Sequence, residues 1–274
     1  MPQIPSLTLN NGLEMPQLGF GVFQIPEEET FEAVTAALAA GYRSIDTAAA
    51  YRNERAVGQA VSGSSVARDE LFITTKLWNS AQGYDSTLRE FDASMGRLGL
   101  EVLDLYLIHW PVPAKDLYSD TWRAFELLYA EGRVRSIGVS NFQIEHLRRL
   151  FAEHGVVPAV NQIELHPYLQ QEALREFHAD NGILTEAWSP IAQGEVLDDP
   201  VLIEVSKELG RTAAQVVLRW HVQLGNVVIP KSVTPSRIVE NTEIFDFELS
   251  DDHIGRISTL ERQYRTGPDP DRFG

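Results

Sequence analysis

The chain has 274 residues, of which 43% are hydrophobic, 23% charged and 9% aromatic, and these fractions are typical of a soluble globular protein. Asp and Glu outnumber Lys and Arg by 39 to 23, so the net charge is -16, and such a surface repels nucleic acid and anionic membranes. There is no cysteine, which excludes disulfides, thiolate metal sites and a cysteine nucleophile.

The amino-terminal segment MPQIPSLTLNNG lacks the basic and apolar regions of a signal peptide, and no run reaches the length of a membrane span. We therefore expect a cytoplasmic protein. The first predicted element is a β-hairpin in LTLNNGLEM, in which Asn11 and Gly12 are expected to supply the two positive-φ positions of a tight turn.

After the hairpin, short apolar runs alternate with longer stretches of helical spacing. The predicted strands lie near Gln17–Gly19, Tyr42–Ile45, Leu71–Thr75, Leu103–Ile108, Val134–Val139, Ala159–Ile163, Ile183–Glu186 and Val227–Ile229. Eight strand–helix units predict an α/β fold, a parallel (β/α)8 TIM barrel that forms one domain over residues 1–274. Two extra helices are predicted at Pro200–Glu208 and Asp251–Glu261, followed by an extended tail.

Four polar side chains follow neighbouring strands of this barrel. Asp46 ends strand two, Tyr51 follows five residues later, Lys76 ends strand three and His109 ends strand four. Each alone is better explained structurally, as a loop cap, a packing ring, a snorkelling lysine or a core histidine. Their joint placement at the carboxyl ends of strands, where barrel enzymes carry catalytic groups, favours an active site.

The chemistry of this set points to carbonyl reduction. A lysine at the end of an apolar strand needs a carboxylate, and Asp46 is the expected partner of Lys76. The ammonium is expected to lower the pKa of Tyr51 from about 10 and make it a usable general acid. A neutral His109 could donate a second hydrogen bond to the same carbonyl oxygen, while the hydride must come from a cofactor.

The usual nucleotide-binding motifs are absent. Gly19-Phe20-Gly21 has no third glycine, and there is no Walker, H-E-x-x-H or Tyr-x-x-x-Lys sequence. Lys231 and Ser232 follow strand eight, and Arg237 lies in the short helix after them. Barrel enzymes often bind phosphate there, so we prefer a phosphate site to a solvated pair of cations.

Several segments of the sequence resemble the aldo-keto reductase superfamily, and specifically its bacterial branch similar to 2,5-diketo-D-gluconate reductase. The resemblance runs through GYRSIDTAAAYRNE, LFITTKLWN, LDLYLIHWP, GVSNF, NQIELHP and PKSVTPSRIVEN, in order and over nearly the whole chain. It implies a catalytic tetrad of Asp46, Tyr51, Lys76 and His109, with Tyr51 as the proton donor.

The resemblance also implies an NADPH site. Carboxamide contacts fall on Ser140, Asn141 and Gln162, for which turn capping is the alternative explanation, and the stacking ring falls on Trp188, where many relatives carry Tyr. The pyrophosphate segment matches Ser189, Pro190 and Ile191, the 2′-phosphate site matches Lys231, Ser232, Val233 and Arg237, and the adenine contacts match Glu240 and Asn241.

Three aromatic residues just past strand ends, Phe23, Trp78 and Trp110, are candidates to form with His109 the wall of the substrate mouth. Packing within the rim explains them equally well. The short tail suggests an open pocket and weak selectivity.

We therefore expect a monomeric NADPH-dependent reductase of small aldehydes and ketones, among them keto sugars, diketones and α-keto compounds, without a metal. Two alternatives remain. One is a regulatory cofactor sensor similar to the potassium-channel β-subunits, against which the intact tetrad argues. The other is a lyase that uses Lys76 as a Schiff-base amine, which pairing with Asp46 disfavours.

Overall fold

The computed structural model describes residues 4–274. Residues 1–3, which form part of the segment examined for a signal peptide, lie outside the described residues. The structure begins with an antiparallel hairpin and continues into eight parallel strands wrapped by helices. The predicted (β/α)8 barrel with an amino-terminal hairpin is confirmed.

The hairpin strands are β1 (Ser6–Thr8) and β2 (Glu14–Pro16). The barrel strands, in chain order, are β3 (Gly19–Gly21), β4 (Ser44–Asp46), β5 (Phe72–Leu77), β6 (Leu103–Ile108), β7 (Val134–Ser140), β8 (Val160–Glu164), β9 (Leu184–Trp188) and β10 (Val227–Val228). All neighbouring strands of the eight-stranded sheet pair in parallel. Because such strands are buried on both faces, their sequences are nearly continuous apolar runs.

The barrel closes between its first and last strands. Leu18 forms a bridge with Val228, and the amide of Gly21 donates to the carbonyl of Pro230 at 3.2 Å. Strand β3 lies two residues later than the predicted Gln17–Gly19, and the side-chain amide of Gln17 donates to the carbonyls of Val222 and Asn226.

Helices alternate with the barrel strands and cover their outer face. Their bounds are α1 (Glu27–Ala39), α2 (Glu54–Ser62), α3 (Tyr84–Leu98), α4 (Tyr118–Ala130), α5 (Ile144–Glu153), α6 (Glu172–Asp180), α7 (Pro200–Leu209), α8 (Ala213–Gln223), α9 (Pro235–Glu240) and α10 (Asp251–Ser258). The two predicted extra helices are α7, inside the β9–α8 connection, and α10, near the carboxyl terminus.

The hairpin closes the amino-terminal end of the barrel. Leu9 and Met15 are buried in one cluster with Phe72 and Leu105, whose side chains fill the barrel interior. The turn is not the predicted pair of positive-φ residues, because only Gly12 has positive φ, at 83°. Its amide donates to the Leu9 carbonyl, and the Leu9 amide donates to the Leu13 carbonyl. This is a three-residue turn in which one glycine suffices.

Within residues 4–274, no helix is both long enough and apolar enough to cross a bilayer. The same part of the chain has no group of three or more His, Asp or Glu side chains arranged to hold a metal ion.

Candidate active site

The carboxyl ends of β4 and β5 bring an ion pair together inside the barrel. Lys76 Nζ lies 2.6 Å from Asp46 Oδ1 and donates to the carbonyl of Thr47 at 3.0 Å. Asp46 is in register with Thr74 of the adjacent parallel strand β5, two residues before Lys76, and both Asp46 and Lys76 are almost wholly excluded from solvent. Burial lowers the pKa of Lys76, but the charge and hydrogen bond of Asp46 help to offset this, and the net pKa is raised. Lys76 is therefore a cation at neutral pH.

Tyr51 lies at the end of the short 3₁₀ turn Ala49–Tyr51 that precedes α2. Its hydroxyl is 3.4 Å from Lys76 Nζ, so the three side chains form a continuous chain from Asp46 through Lys76 to Tyr51. The turn ends at Arg52, which adopts a left-handed backbone conformation with φ of 59°.

The expectation that Lys76 lowers the pKa of Tyr51 is wrong in its net direction. Enclosure of the hydroxyl raises the pKa of Tyr51, and this effect exceeds the lowering by the Lys76 ammonium. Desolvation could not be judged from the sequence, which showed only the neighbouring charge. Tyr51 is thus protonated at neutral pH, and the Lys76 ammonium lies where a positive charge favours the phenolate form of Tyr51.

His109 follows β6 and stands beside the ring of Tyr51, with 5.7 Å between the ring centroids. Burial, together with the Lys76 cation, holds the pKa of His109 well below its usual range, so the imidazole is neutral. Its Nδ1 is enclosed without a partner among the described residues, which leaves Nε2 as the ring nitrogen that can present an N–H to a substrate. The neutral imidazole can thus donate a hydrogen bond through Nε2–H without itself taking up a second proton at neutral pH.

The residues expected to contact the nicotinamide carboxamide lie at the ends of β7 and β8. Asn141, with φ of 64°, donates through Nδ2 to the His109 carbonyl at 3.0 Å and accepts from the indole N–H of Trp188 at 2.8 Å. Ser140 donates to the Gln162 carbonyl at 2.8 Å. The structure brings these residues together around the tetrad. Trp188 is joined to them through its indole N–H, a donor that a tyrosine at this position would lack.

Gln162 Nε2 lies between two carboxyl groups. It donates to Asp46 Oδ2 and to Glu186 Oε2, both at 2.8 Å. Because both amide hydrogens face carboxyl groups, the oxygen of the side chain is left as the group that Gln162 can offer to a ligand.

The segment after β9 also lies at this rim. Ser189 has positive φ, at 48°, and the carbonyl of Pro190 is 3.1 Å from His221 Nε2 on α8. Ile191 packs against the hydrophobic core. The predicted pyrophosphate segment is thus held by the barrel in a defined turn.

Lys231 and Arg237 are exposed on the loop and helix that follow β10. Neither cation has a carboxylate within 4 Å among residues 4–274, whereas most arginines of this acidic chain are paired. Ser232 is buried and accepts from the amide of Thr234 at 3.1 Å, and Val233 is exposed. Of the expected adenine contacts, Asn241 ends α9, and the Glu240 carboxylate is bonded to Thr212 at 2.7 Å.

The predicted aromatic wall is joined by a residue that the sequence did not reveal. Trp78 lies 5.1 Å from the His109 ring, and Phe23 lies 5.0 Å from the Tyr51 ring, measured between centroids. Phe273, next to last in the chain, packs 4.6 Å from Trp110. The tail therefore reaches Trp110, one of the residues expected to line the substrate mouth, so its short length does not keep it away from this rim.

Glu164 at the end of β8 fastens the tail. Its Oε1 accepts from the hydroxyl of Thr266 at 2.7 Å and from Nε2 of His166 at 3.1 Å. Gly267 lies so close to Trp188 that a β-carbon there would collide with the indole. The sequence carries little signal for the contacts of the tail, because Thr266 and Gly267 are far along the chain from Glu164 and Trp188. Glu186 was also missed, although a glutamate within the apolar strand LTEAW marks an inward-facing charge.

Comparison with known proteins gives concordant matches. The sequence model of the aldo/keto reductase family matches residues 16–262. An aldo-keto reductase of Mycolicibacterium smegmatis is 59% identical over 269 residues, 98% of each chain. The glyoxal reductase of Bacillus subtilis is 52% identical over 98% of this chain and 97% of its own. A crystal structure of a Gox0644 mutant in complex with NADPH superposes with a TM-score of 0.96, at 49% identity and with both chains fully covered.

Proposed function

Because this chain belongs to the aldo-keto reductase family, we propose that it reduces small aldehydes and ketones to alcohols with NADPH. The observation that carries the proposal is the series of side-chain contacts from Asp46 through Lys76 to Tyr51, which lies beside a neutral His109. This arrangement supplies a proton and a hydrogen bond to one carbonyl oxygen.

The residues at the rim fit NADPH. Lys231 and Arg237 offer unpaired positive charge to a 2′-phosphate, which forms charge-assisted hydrogen bonds best with such groups. Trp188 offers an indole face for stacking, and the oxygen of Gln162 offers an acceptor for an amide N–H. We further propose that Ser140 and Asn141 hold the carboxamide, that Ser189–Ile191 follow the pyrophosphate, and that Glu240 and Asn241 border the adenine. NADPH, when bound, supplies the hydride that the carbonyl carbon requires.

The protein's own part in the reaction is to bind and protonate the carbonyl oxygen. His109 orients it through Nε2–H, and Tyr51 donates its hydroxyl proton as negative charge develops there. Lys76 stabilises the resulting phenolate, and Asp46 keeps Lys76 protonated and fixed. Because the Asp46–Lys76 pair is buried and held by hydrogen bonds, the Lys76 ammonium is already in place for proton transfer and does not have to move.

We propose small dicarbonyls as a substrate class. Glyoxal and methylglyoxal reductases are among the relatives that are more than 50% identical. In this chain Trp78, Trp110 and Phe273 pack together beside His109, and Phe23 packs on Tyr51, so aromatic rings border the place proposed for the carbonyl group.

The test is loss of NADPH absorbance with a panel of glyoxal, methylglyoxal, diketones, α-keto acids and keto sugars. The proposal predicts steady turnover with at least one α-oxoaldehyde, and one molecule of alcohol formed for each NADPH consumed. NADPH binding without turnover on any member would contradict it and would instead fit a regulatory sensor.

A further inference from the structure

A buried carboxyl group, that of Glu186, is linked to the tetrad through a single side chain, Gln162, and has no role in the mechanism above. Glu186 is on β9, directly opposite Gln162 of β8 and Val227 of β10, and none of its surface is exposed to solvent. Its Oε2 accepts from Gln162, while its Oε1 has no hydrogen-bond partner among the described residues.

Gln162 connects this carboxyl to the ion pair. A single nitrogen, Nε2, is 2.8 Å from both Asp46 Oδ2 and Glu186 Oε2, so the two carboxyl groups lie within twice that distance of each other. The positive charge beside them is the one carried by Lys76, and its ammonium contacts Asp46. Two carboxylates sharing one cation in a desolvated interior do not both ionise easily.

We propose that Glu186 is a positioning residue for Asp46, Lys76 and Tyr51. Its carboxyl group is neutral at neutral pH, and when that group ionises at higher pH it weakens Tyr51 as a proton donor. The inference rests on the proposed function, since it concerns the same proton donor. It also explains the orphaned Oε1, because an unpartnered neutral oxygen costs far less than an unpartnered charge.

The charges around the site support this assignment. Asp46 approaches from β4, Lys76 from β5, and Tyr51 lies beyond Lys76, while Val227 on β10 is apolar. Burial, together with Asp46, raises the pKa of Glu186 to about 8. Glu186 in its ionised form raises the pKa of both Tyr51 and Lys76. Ionisation therefore makes Tyr51 a weaker acid, and reduction slows as the pH rises through about 8.

Glu186 also helps to fix the side chain of Gln162. With Asp46 and Glu186 both accepting from Nε2, the amide is fixed so that its oxygen faces the rim. Glu186→Gln preserves this acceptor without a titratable proton, whereas Glu186→Leu removes it. The two substitutions thus separate the charge of Glu186 from its hydrogen bond.

The first arm of the test needs no turnover. Carbon-13 NMR of the full chain, labelled at the glutamate carboxyl carbon, is recorded while the pH is raised without ligand. We expect one carboxyl resonance to titrate at about 8 and to be missing in Glu186→Gln. Glu164→Gln is the matched control, because Glu164 is also buried but hydrogen bonds from His166 and Thr266 outweigh burial and hold its pKa low. The resonance near pH 8 persisting in Glu186→Gln, or absent from the unsubstituted chain, would overturn the proposal.

The second arm measures the pH profile of kcat. Glu186→Gln should retain the neutral-pH rate within about twofold and move the alkaline fall by about one pH unit or more. An unchanged profile in a folded Glu186→Gln protein would overturn the tuning role. If the unsubstituted chain reduces no carbonyl, the proposed function fails, but the NMR arm still decides whether Glu186 holds its proton.

Discussion

Lys76 Nζ lies 2.6 Å from Asp46 Oδ1, and this pair is buried beneath the carboxyl ends of the strands. The ammonium also reaches the hydroxyl of Tyr51. The pair therefore joins the stability of the barrel to the proposed chemistry, because the same carboxylate that neutralises Lys76 fixes the charge that faces Tyr51.

Asp46→Asn should damage both stability and reduction. It leaves the Lys76 ammonium buried without a counterion, which costs about 3–5 kcal/mol when a buried pair is broken. Urea unfolding measures the loss, and NADPH consumption should fall with it. Asp120→Asn is the control, since its exposed pair with Arg123 contributes at most about 1 kcal/mol. Equal losses in the two variants would contradict this assignment.

The protein should lose stability in mild acid because neutral histidines are buried in it. Burial, with a smaller effect of Arg175, lowers the pKa of His178 to about 3, and burial lowers that of His221 to about 3. Between pH 3 and 6.5 the unfolded chain takes up protons that the folded chain does not, so stability falls as the pH decreases. Each histidine contributes about 1.4 kcal/mol per pH unit in this window.

Urea unfolding at several pH values checks this slope. His178 is bonded at both ring nitrogens, to Asn161 and Thr185. His178→Gln should reduce the slope by about 1.4 kcal/mol per pH unit while lowering stability at neutral pH. A slope that is unchanged in this variant would contradict the neutral assignment of His178.

Arg237→Ala should raise KM for NADPH by roughly tenfold or more, because a hydrogen bond to a charged group contributes about 1.5–3 kcal/mol. KM for NADH, which lacks the 2′-phosphate, should change little. Arg123→Ala serves as a control, since Arg123 is equally a surface arginine but lies on α4 beside Tyr84. Equal changes for both cofactors would refute the 2′-phosphate site.

Phe273→Ala should weaken the binding of small substrates. The ring packs on Trp110 at the proposed mouth, and a comparable aromatic contact with a bound substrate contributes about 0.5–1.5 kcal/mol. We expect KM for methylglyoxal to rise by about two- to tenfold with kcat little changed. Phe31→Ala, which removes an exposed ring on α1, should leave KM unaltered. If Phe273→Ala also leaves KM unaltered, the tail takes no part in the mouth.

The sequence predicted the barrel well because its periodicity is strong and local. Six-residue buried strands such as β5 and β6 alternate with amphipathic helices, and both extra helices start at a clear capping residue, Asp199 or Ser250. The approach of Asp46 to Lys76 also followed from adjacency of strand ends. The net pKa of Tyr51 could not be predicted, because it depends on desolvation by the assembled site.

Contacts between distant parts of the chain were the main omission. The packing of Phe273 on Trp110 and the bond from Thr266 to Glu164 depend on how the tail folds back over the rim. No local pattern encodes that path. Glu186 was different, since a lone charge in a buried strand is visible in the sequence, but its link to Asp46 through Gln162 required coordinates.

The role of Tyr51 is tested most directly by comparing the unsubstituted chain with Tyr51→Phe at saturating NADPH and methylglyoxal. NADPH affinity, followed by quenching of tryptophan fluorescence, should change by no more than about twofold, because the phenol hydroxyl accepts its hydrogen bond from Lys76 inside the barrel and lies apart from the rim cations. The account predicts a fall in kcat of about 100-fold or more, as expected for removal of a general acid. Turnover by Tyr51→Phe at the rate of the unsubstituted chain would contradict it.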